Sequence, residues 1–169
     1  MNLNSLSKEE LINLVKEKKI GQKELTDNGI CPTCFDKENN GILYGNKEMR
    51  MIYEDDDIEC FFDGHPKGLG HTIISSKKHY KDMMELPDDL CEKIFLFTKK
   101  LMNILKKVYQ SESVYLCTMC DGPMNHFHLQ LILRYSSEKR GSNNFIKERI
   151  TYIHDEEKRQ LIKKLLCEK

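Results

Sequence analysis

The 169-residue sequence predicts an α+β fold built on an antiparallel sheet. Three observations point there. Short β-rich runs follow one another closely and are separated by turn residues, which makes hairpins rather than alternating βαβ units. One long stretch, Pro87 to about Tyr109, carries apolar residues at helical spacing. Two further strand-like runs follow it and read as the central strands of the sheet.

The elements can be justified in order. Ser7 with Glu10 three residues on is a capping-box pattern, and Leu11, Ile12 and Val15 extend it into a short amphipathic helix to about Lys18. Cys31-Pro32-Thr33-Cys34 is followed by a polar stretch, Asp36 to Asn40, that reads as a loop. Residues 41–44, 50–54 and 58–62 read as strands, divided by Gly45-Asn46 and by Asp55-Asp56-Asp57. A turn-rich loop, Asp63 to Gly70, leads into a strand over 71–75. In the long helix Pro87 suits the first turn, and Asp88 and Asp89 sit near the positive end of the helix dipole. Its apolar stripe is Leu90, Ile94, Phe97, Leu101, Ile104, Leu105 and Val108, the spacing of a helix packed on a sheet. Residues 114–117 and 127–135 are the two expected central strands, and 155–166 is a second amphipathic helix.

Composition narrows the function classes. Charged residues make up 32 % of the chain but balance, 27 basic against 27 acidic, which argues against a broad nucleic-acid or membrane surface. No apolar run approaches the roughly 18 residues of a membrane span. The first residues do not read as a secretory signal, so a cytoplasmic protein is expected. Seven cysteines is an odd number, and in a reducing compartment most are expected free, buried or metal-bound.

Two motifs carry chemistry. The Cys31-x-x-Cys34 pair is either a redox pair or half of a tetrahedral zinc site. Zinc is favoured, because a polar loop and a meander surround the pair rather than a thioredoxin-like βαβ unit. With no second CxxC, the missing ligands should be histidines, drawn from His65, His71, His79, His126, His128 and His154. The second motif is Asn125-His126-Phe127-His128-Leu129-Gln130. On a strand, His126, His128 and Gln130 share one face about 6.6 Å apart in succession, and Phe127, Leu129 and Leu131 face the core. The polar face is either ordinary solvated surface or a site. A neutral imidazole is a good nucleophile near neutral pH, and attack on phosphorus would give a phospho- or nucleotidyl-imidazole. Glutamine offers hydrogen bonds to phosphoryl oxygens but no proton of tunable pKa, which suits a leaving group that needs no protonation.

These residues resemble a known family. Residues 53–79, with Asp63 after an apolar strand, Pro66-Lys67-Gly68-Leu69-Gly70-His71-Thr72, and a lysine-rich turn ending in His79, look like the N-terminal half of a histidine triad (HIT) domain. His126-x-His128-x-Gln130 resembles the family signature, in the His-x-His-x-Gln form of the galactose-1-phosphate uridylyltransferase and diadenosine tetraphosphate phosphorylase branch. The resemblance covers about Ile30 to Tyr135. It divides the chain into an N-terminal helical arm (1–29), a HIT-like domain (30–135) and a C-terminal extension (136–169).

The resemblance implies an antiparallel sheet with a long helix, usually paired as a homodimer. It implies His128 as the nucleophile forming a nucleotidyl-histidine, Gln130 holding the phosphoryl group, and Asp63 binding the ribose hydroxyls. It implies structural zinc on Cys31, Cys34, His79 and His126, and a nucleotide or nucleotide-sugar substrate. Small members carry a longer glycine-rich loop before the signature; here it is only Cys120 to Asn125, and Asn125 is the remaining donor for a phosphate contact. Two readings of the basic segment Lys139 to Arg149 stay open: a cap that binds a leaving phosphate, or a solvated tail. The expected function is nucleotidyl transfer or hydrolysis at an α-phosphate. The alternatives are a catalytically weak nucleotide sensor or adaptor with structural zinc and, less favoured, a zinc module that binds nucleic acid.

Overall fold

The computed structural model describes residues 2–45, 47–120 and 122–168. Asn46, from the expected turn at Gly45-Asn46, and Asp121, from the loop before the signature, lie outside them.

The chain begins with α1 (Lys8–Lys16), α2 (Gln22–Asp27) and α3 (Pro32–Glu38). The capping box forms as expected: the Ser7 hydroxyl accepts the Glu10 N–H, and the Glu10 carboxylate accepts the Ser7 N–H at 2.8 Å. α2 is too short to show a periodicity; the Glu24 carboxylate starts it by accepting the Gly21 N–H at 2.8 Å. Two expectations fail here. Of the stretch read as a loop, residues 36–38 continue helix α3, which Pro32 at its first position pre-sets, and residues 39–40 are a turn. Residues 41–44 are a turn rather than a strand. The buried Asp36 carboxylate accepts the N–H groups of Leu43 and Tyr44, at 2.7 and 3.1 Å, and Gly41 takes a positive φ of 76°. Leu3, Val15, Ile20, Leu25 and Phe35 close a small apolar core of their own.

Then come β1 (Met51–Glu54), β2 (Ile58–Phe62), β3 (Thr72–Ser76), α4 (Asp88–Tyr109), β4 (Ser113–Cys117), β5 (His128–Arg134) and α5 (Glu156–Cys167). They form one antiparallel sheet in the order β1-β2-β3-β5-β4. The α+β expectation holds. β4, however, is an edge strand rather than a central one, and its residues are all half-buried. Pro87 is the N-cap of α4 rather than its first helical residue. One face of the sheet, with Ile58, Cys60, Phe62, Ile74, Leu129, Leu131 and Leu133, packs on Ile94, Leu101 and Leu105 of α4 and Ile162 of α5. Cys91 and Cys117 are only partly buried, whereas Cys60 is fully buried. Gly70 bends the chain into β3 at φ 74°, and an added Cβ would come within 2.8 Å of Leu133 and 3.0 Å of Tyr109. No helix among the described residues is long and apolar enough to cross a membrane.

Candidate functional site

The opposite sheet face is not the one on which α4 and α5 pack. There β2, β3 and β5 present Phe61, Ile73, Ser75, His128 and Gln130 to a cavity of about 410 Å³. His126 precedes β5 instead of lying on it; the Phe127 N–H donates to the Tyr80 carbonyl at 2.7 Å, outside the sheet ladder.

That placement carries His126 toward the CxxC pair. Cys31 caps the N-terminus of α3, and Cys34 lies one turn along it. Their thiols meet His79 and His126, and all four ligand atoms lie within 4.8 Å of one another. Cys34 Sγ is 3.3 Å from His126 Nδ1 and 3.4 Å from His79 Nδ1, and Cys31 Sγ is 3.7 Å from His126 Nδ1. Tetrahedral Zn–S and Zn–N bonds would set S···N separations of about 3.6 Å. The His126 Nε2–H donates to the Ser76 carbonyl at 2.8 Å, which leaves the Nδ1 lone pair for a cation. Burial keeps His126 below the usual imidazole range. Burial and the neighbouring Cys31 push the Cys34 thiol up to about 12. A cation between the four ligand atoms would offset that penalty on the Cys34 thiolate, and the Cys2His2 donor set fits zinc.

The other two polar residues of the signature face the cavity. His128 Nδ1–H donates to the His126 carbonyl at 2.9 Å, so this tautomer carries its lone pair on Nε2. The Gln130 amide nitrogen is 3.3 Å from that Nε2. Gln130 is buried, and its Oε1 has no hydrogen-bond partner among the described residues. His71 lies behind, 1 % exposed. Its Nδ1 accepts the Lys67 N–H at 3.0 Å, and burial pulls its pKa down to about 4, so the ring is neutral at pH 7 and carries its proton on Nε2. Its 3.4 Å approach to Asp63 is therefore not an ion pair.

Asp63 lines the far side of the cavity. Its Oδ1 accepts the His65 N–H at 2.9 Å and its Oδ2 accepts from Arg149 Nη1 at 2.8 Å. Arg50 and Lys47 stand beside it over the Phe61 ring, and Gln22 and Thr33 close the wall from the N-terminal helices. Of the expected nucleotide-binding pair, Asp63 reaches the cavity. Asn125 does not line it: its amide is spent on the Gly122 N–H and carbonyl at 3.1 and 2.9 Å. His65 sits at the rim, while His154 is exposed beside Tyr152 and Glu156. The basic segment splits, with Lys147 on Glu138 and Arg149 in the cavity. Arg149 and Gln22 have no local sequence signal that ties them to the site. They arrive through packing, Arg149 from 86 residues away.

The HIT domain family profile matches residues 45–137. An uncharacterized HIT-like protein of Methanocaldococcus jannaschii is 30 % identical over 100 residues, covering 57 % of this chain and 78 % of that protein. Among solved structures, a Zn-bound histidine triad family protein of Mycobacterium smegmatis superposes with a TM-score of 0.54 at 19 % identity, over 69 % of this chain and 82 % of that one. The diadenosine triphosphate hydrolase of Plasmodium falciparum, solved with cyclomarin A, superposes with a TM-score of 0.53 at 16 % identity, over 69 % of this chain and 76 % of that one.

Proposed function

The chain belongs to the HIT domain family, and from that premise we propose that it is a nucleotidyl-transferring enzyme acting at the α-phosphate of a nucleotide. The carrying observation is the His128 tautomer. With Nδ1–H committed to the His126 carbonyl, the Nε2 lone pair stands in the cavity beside the Gln130 amide. In the proposed first step that lone pair attacks the α-phosphorus. The bond from phosphorus to the leaving phosphate or sugar phosphate breaks, and its electron pair departs with that group. In the second step a phosphate oxygen, or water that gives up a proton to solvent, attacks phosphorus, the N–P bond breaks, and the pair returns to Nε2. The Gln130 amide, which donates to His128 Nε2 at 3.3 Å, would turn its N–H to a phosphoryl oxygen, and Asp63 accepts from the ribose hydroxyls. Asn125 would add a phosphate contact by giving up Gly122.

Zinc on Cys31, Cys34, His79 and His126 is part of this reading, and its role is structural. It ties α3 to the residue whose carbonyl orients His128. The third-position glutamine favours transfer or phosphorolysis, as in the galactose-1-phosphate uridylyltransferase and diadenosine tetraphosphate phosphorylase branch, over hydrolysis, the reaction named for the Plasmodium neighbour. A homodimer is proposed with it, and β4, one of the two edge strands of the sheet, is offered as the strand that pairs with a second copy. The alternative is a catalytically weak nucleotide sensor, which the engagement of Asn125 with Gly122 favours.

The test is His128→Ala, assayed against dinucleoside polyphosphates and nucleotide sugars. Turnover is expected to fall at least about 10³-fold with zinc content and fold unchanged. Full activity in the variant removes His128 as nucleophile.

A further inference from the structure

The C-terminal extension carries a residue into the cavity that the CxxC and His-x-His-x-Gln motifs do not include. Between β5 and α5 the chain crosses back over the sheet as a strap. Phe145 meets Tyr115 edge-to-face with ring centroids 5.6 Å apart, and the Phe145 carbonyl accepts from Lys67 Nζ. The Ile150 N–H donates to the Pro66 carbonyl at 2.7 Å. Between these anchors, Arg149 turns into the cavity wall. Its Nη1 donates to Asp63 Oδ2 at 2.8 Å and to the His65 carbonyl at 2.6 Å. Both Nη1 protons are thereby used. A guanidinium has five N–H donors, so the remaining donors, on Nη2 and Nε, are open to a ligand, and the side chain is 48 % exposed at the rim.

We propose that Arg149 is a specificity-determining residue that, with Asp63, selects a sugar bearing a vicinal diol. This rests on the nucleotide reading above. A hydroxyl both donates and accepts, and the Asp63–Arg149 couple offers an acceptor and a donor side by side. One hydroxyl of the diol donates to Asp63; its neighbour accepts from an open N–H of Arg149. A phosphate ester at that position fits worse. It only accepts, and the Arg149 charge it would need is already balanced by a carboxylate 2.8 Å away. Arg149 also fixes the Asp63 carboxylate before the sugar arrives, so no rotamer has to be found on binding. The strap thus places the sugar-reading donor on a segment outside the residues matched by the family profile.

The experiment measures Kd by calorimetry for a ribonucleoside 5′-monophosphate, its 2′-deoxy and 3′-deoxy analogues, and a 2′,5′-bisphosphate, using the full chain loaded with zinc. Wild type and Arg149→Met are compared, with Arg149→Lys as a second variant that keeps a charge at the strap. The wild type is expected to prefer the ribonucleotide over at least one deoxy analogue by roughly tenfold. Arg149→Met should shrink that preference about fivefold while binding of that deoxy analogue changes little. A purely structural role for the strap would weaken every ligand alike. An equal ribo-to-deoxy ratio in the wild type and Arg149→Met overturns the assignment while leaving the nucleotide reading intact. Tighter binding of the bisphosphate than of the monophosphate, lost in Arg149→Met, overturns it in favour of a phosphate site. No binding of any nucleotide by the wild type defeats the nucleotide reading and this inference together.

Discussion

His71 sits behind the signature strand, and its burial sets how it titrates. Its ring is enclosed, it accepts the Lys67 N–H, and burial holds its pKa near 4 against an ordinary value near 6.5. The sign of the pH effect follows. Between about pH 6.5 and pH 4 the unfolded chain binds a proton at this residue that the folded chain does not, so protonation drains the folded state and stability falls as pH drops through that window. Urea unfolding at pH 7.0 and 4.5 should show wild type losing on the order of 2 kcal/mol more than His71→Asn. Equal losses would mean that the folded protein carries a protonated His71. At this scale the sequence was uneven. The period-2 alternation placed Phe127, Leu129 and Leu131 in the core, where they are. It made His126, His128 and Gln130 equivalent, and they are not. His126 leaves the ladder for the thiols, a division set by the Tyr80 and Ser76 carbonyls, which no local pattern announces.

At the scale of elements, the CxxC pair is organised by α3, whose N-terminus it forms. Its polar composition reads as a loop because Asp36, Lys37 and Glu38 give no amphipathic stripe. What makes it a helix is Pro32 at the first position and the buried Asp36 carboxylate, whose two backbone partners lie seven and eight residues on. The long helix was legible because 22 residues repeat one apolar stripe, and α2 was not because six residues cannot. The cluster of Cys31, Cys34, His79 and His126 joins α3, the turn after β3 and the start of β5. His126→Ala should lower bound zinc to below one equivalent per chain and the melting temperature by at least about 5 °C. Chelation of the wild type should give a similar drop, and hydrogen exchange should quicken first in α3. Unchanged metal content in His126→Ala would take it out of the ligand set.

For the molecule as a whole, the sheet divides the labour. One face is sealed by α4 and α5; the other holds the cavity, with His128 and Gln130 on its floor. The segments beyond the family match turn out to wall it: Gln22 and Thr33 from the N-terminal side, Arg149 from the C-terminal side. Their contribution was hidden in the sequence because it depends on chain reversal over long separations rather than on spacing. His126 of the Cys2His2 cluster lies two residues before His128, the proposed nucleophile, so in the proposed reading the metal's place is to hold the His126 carbonyl against His128 Nδ1. Everything proposed for the reaction turns on His128 Nε2, the nitrogen left with the lone pair. The most direct measurement is a rapid quench of the zinc-loaded protein with a dinucleoside polyphosphate labelled at the α-phosphorus, followed by peptide mapping. The expected result is one acid-labile, base-stable nucleotidyl adduct on the peptide containing His128, absent in His128→Ala. Turnover of the substrate with no label ever found on His128, or with label on a different residue, would contradict it.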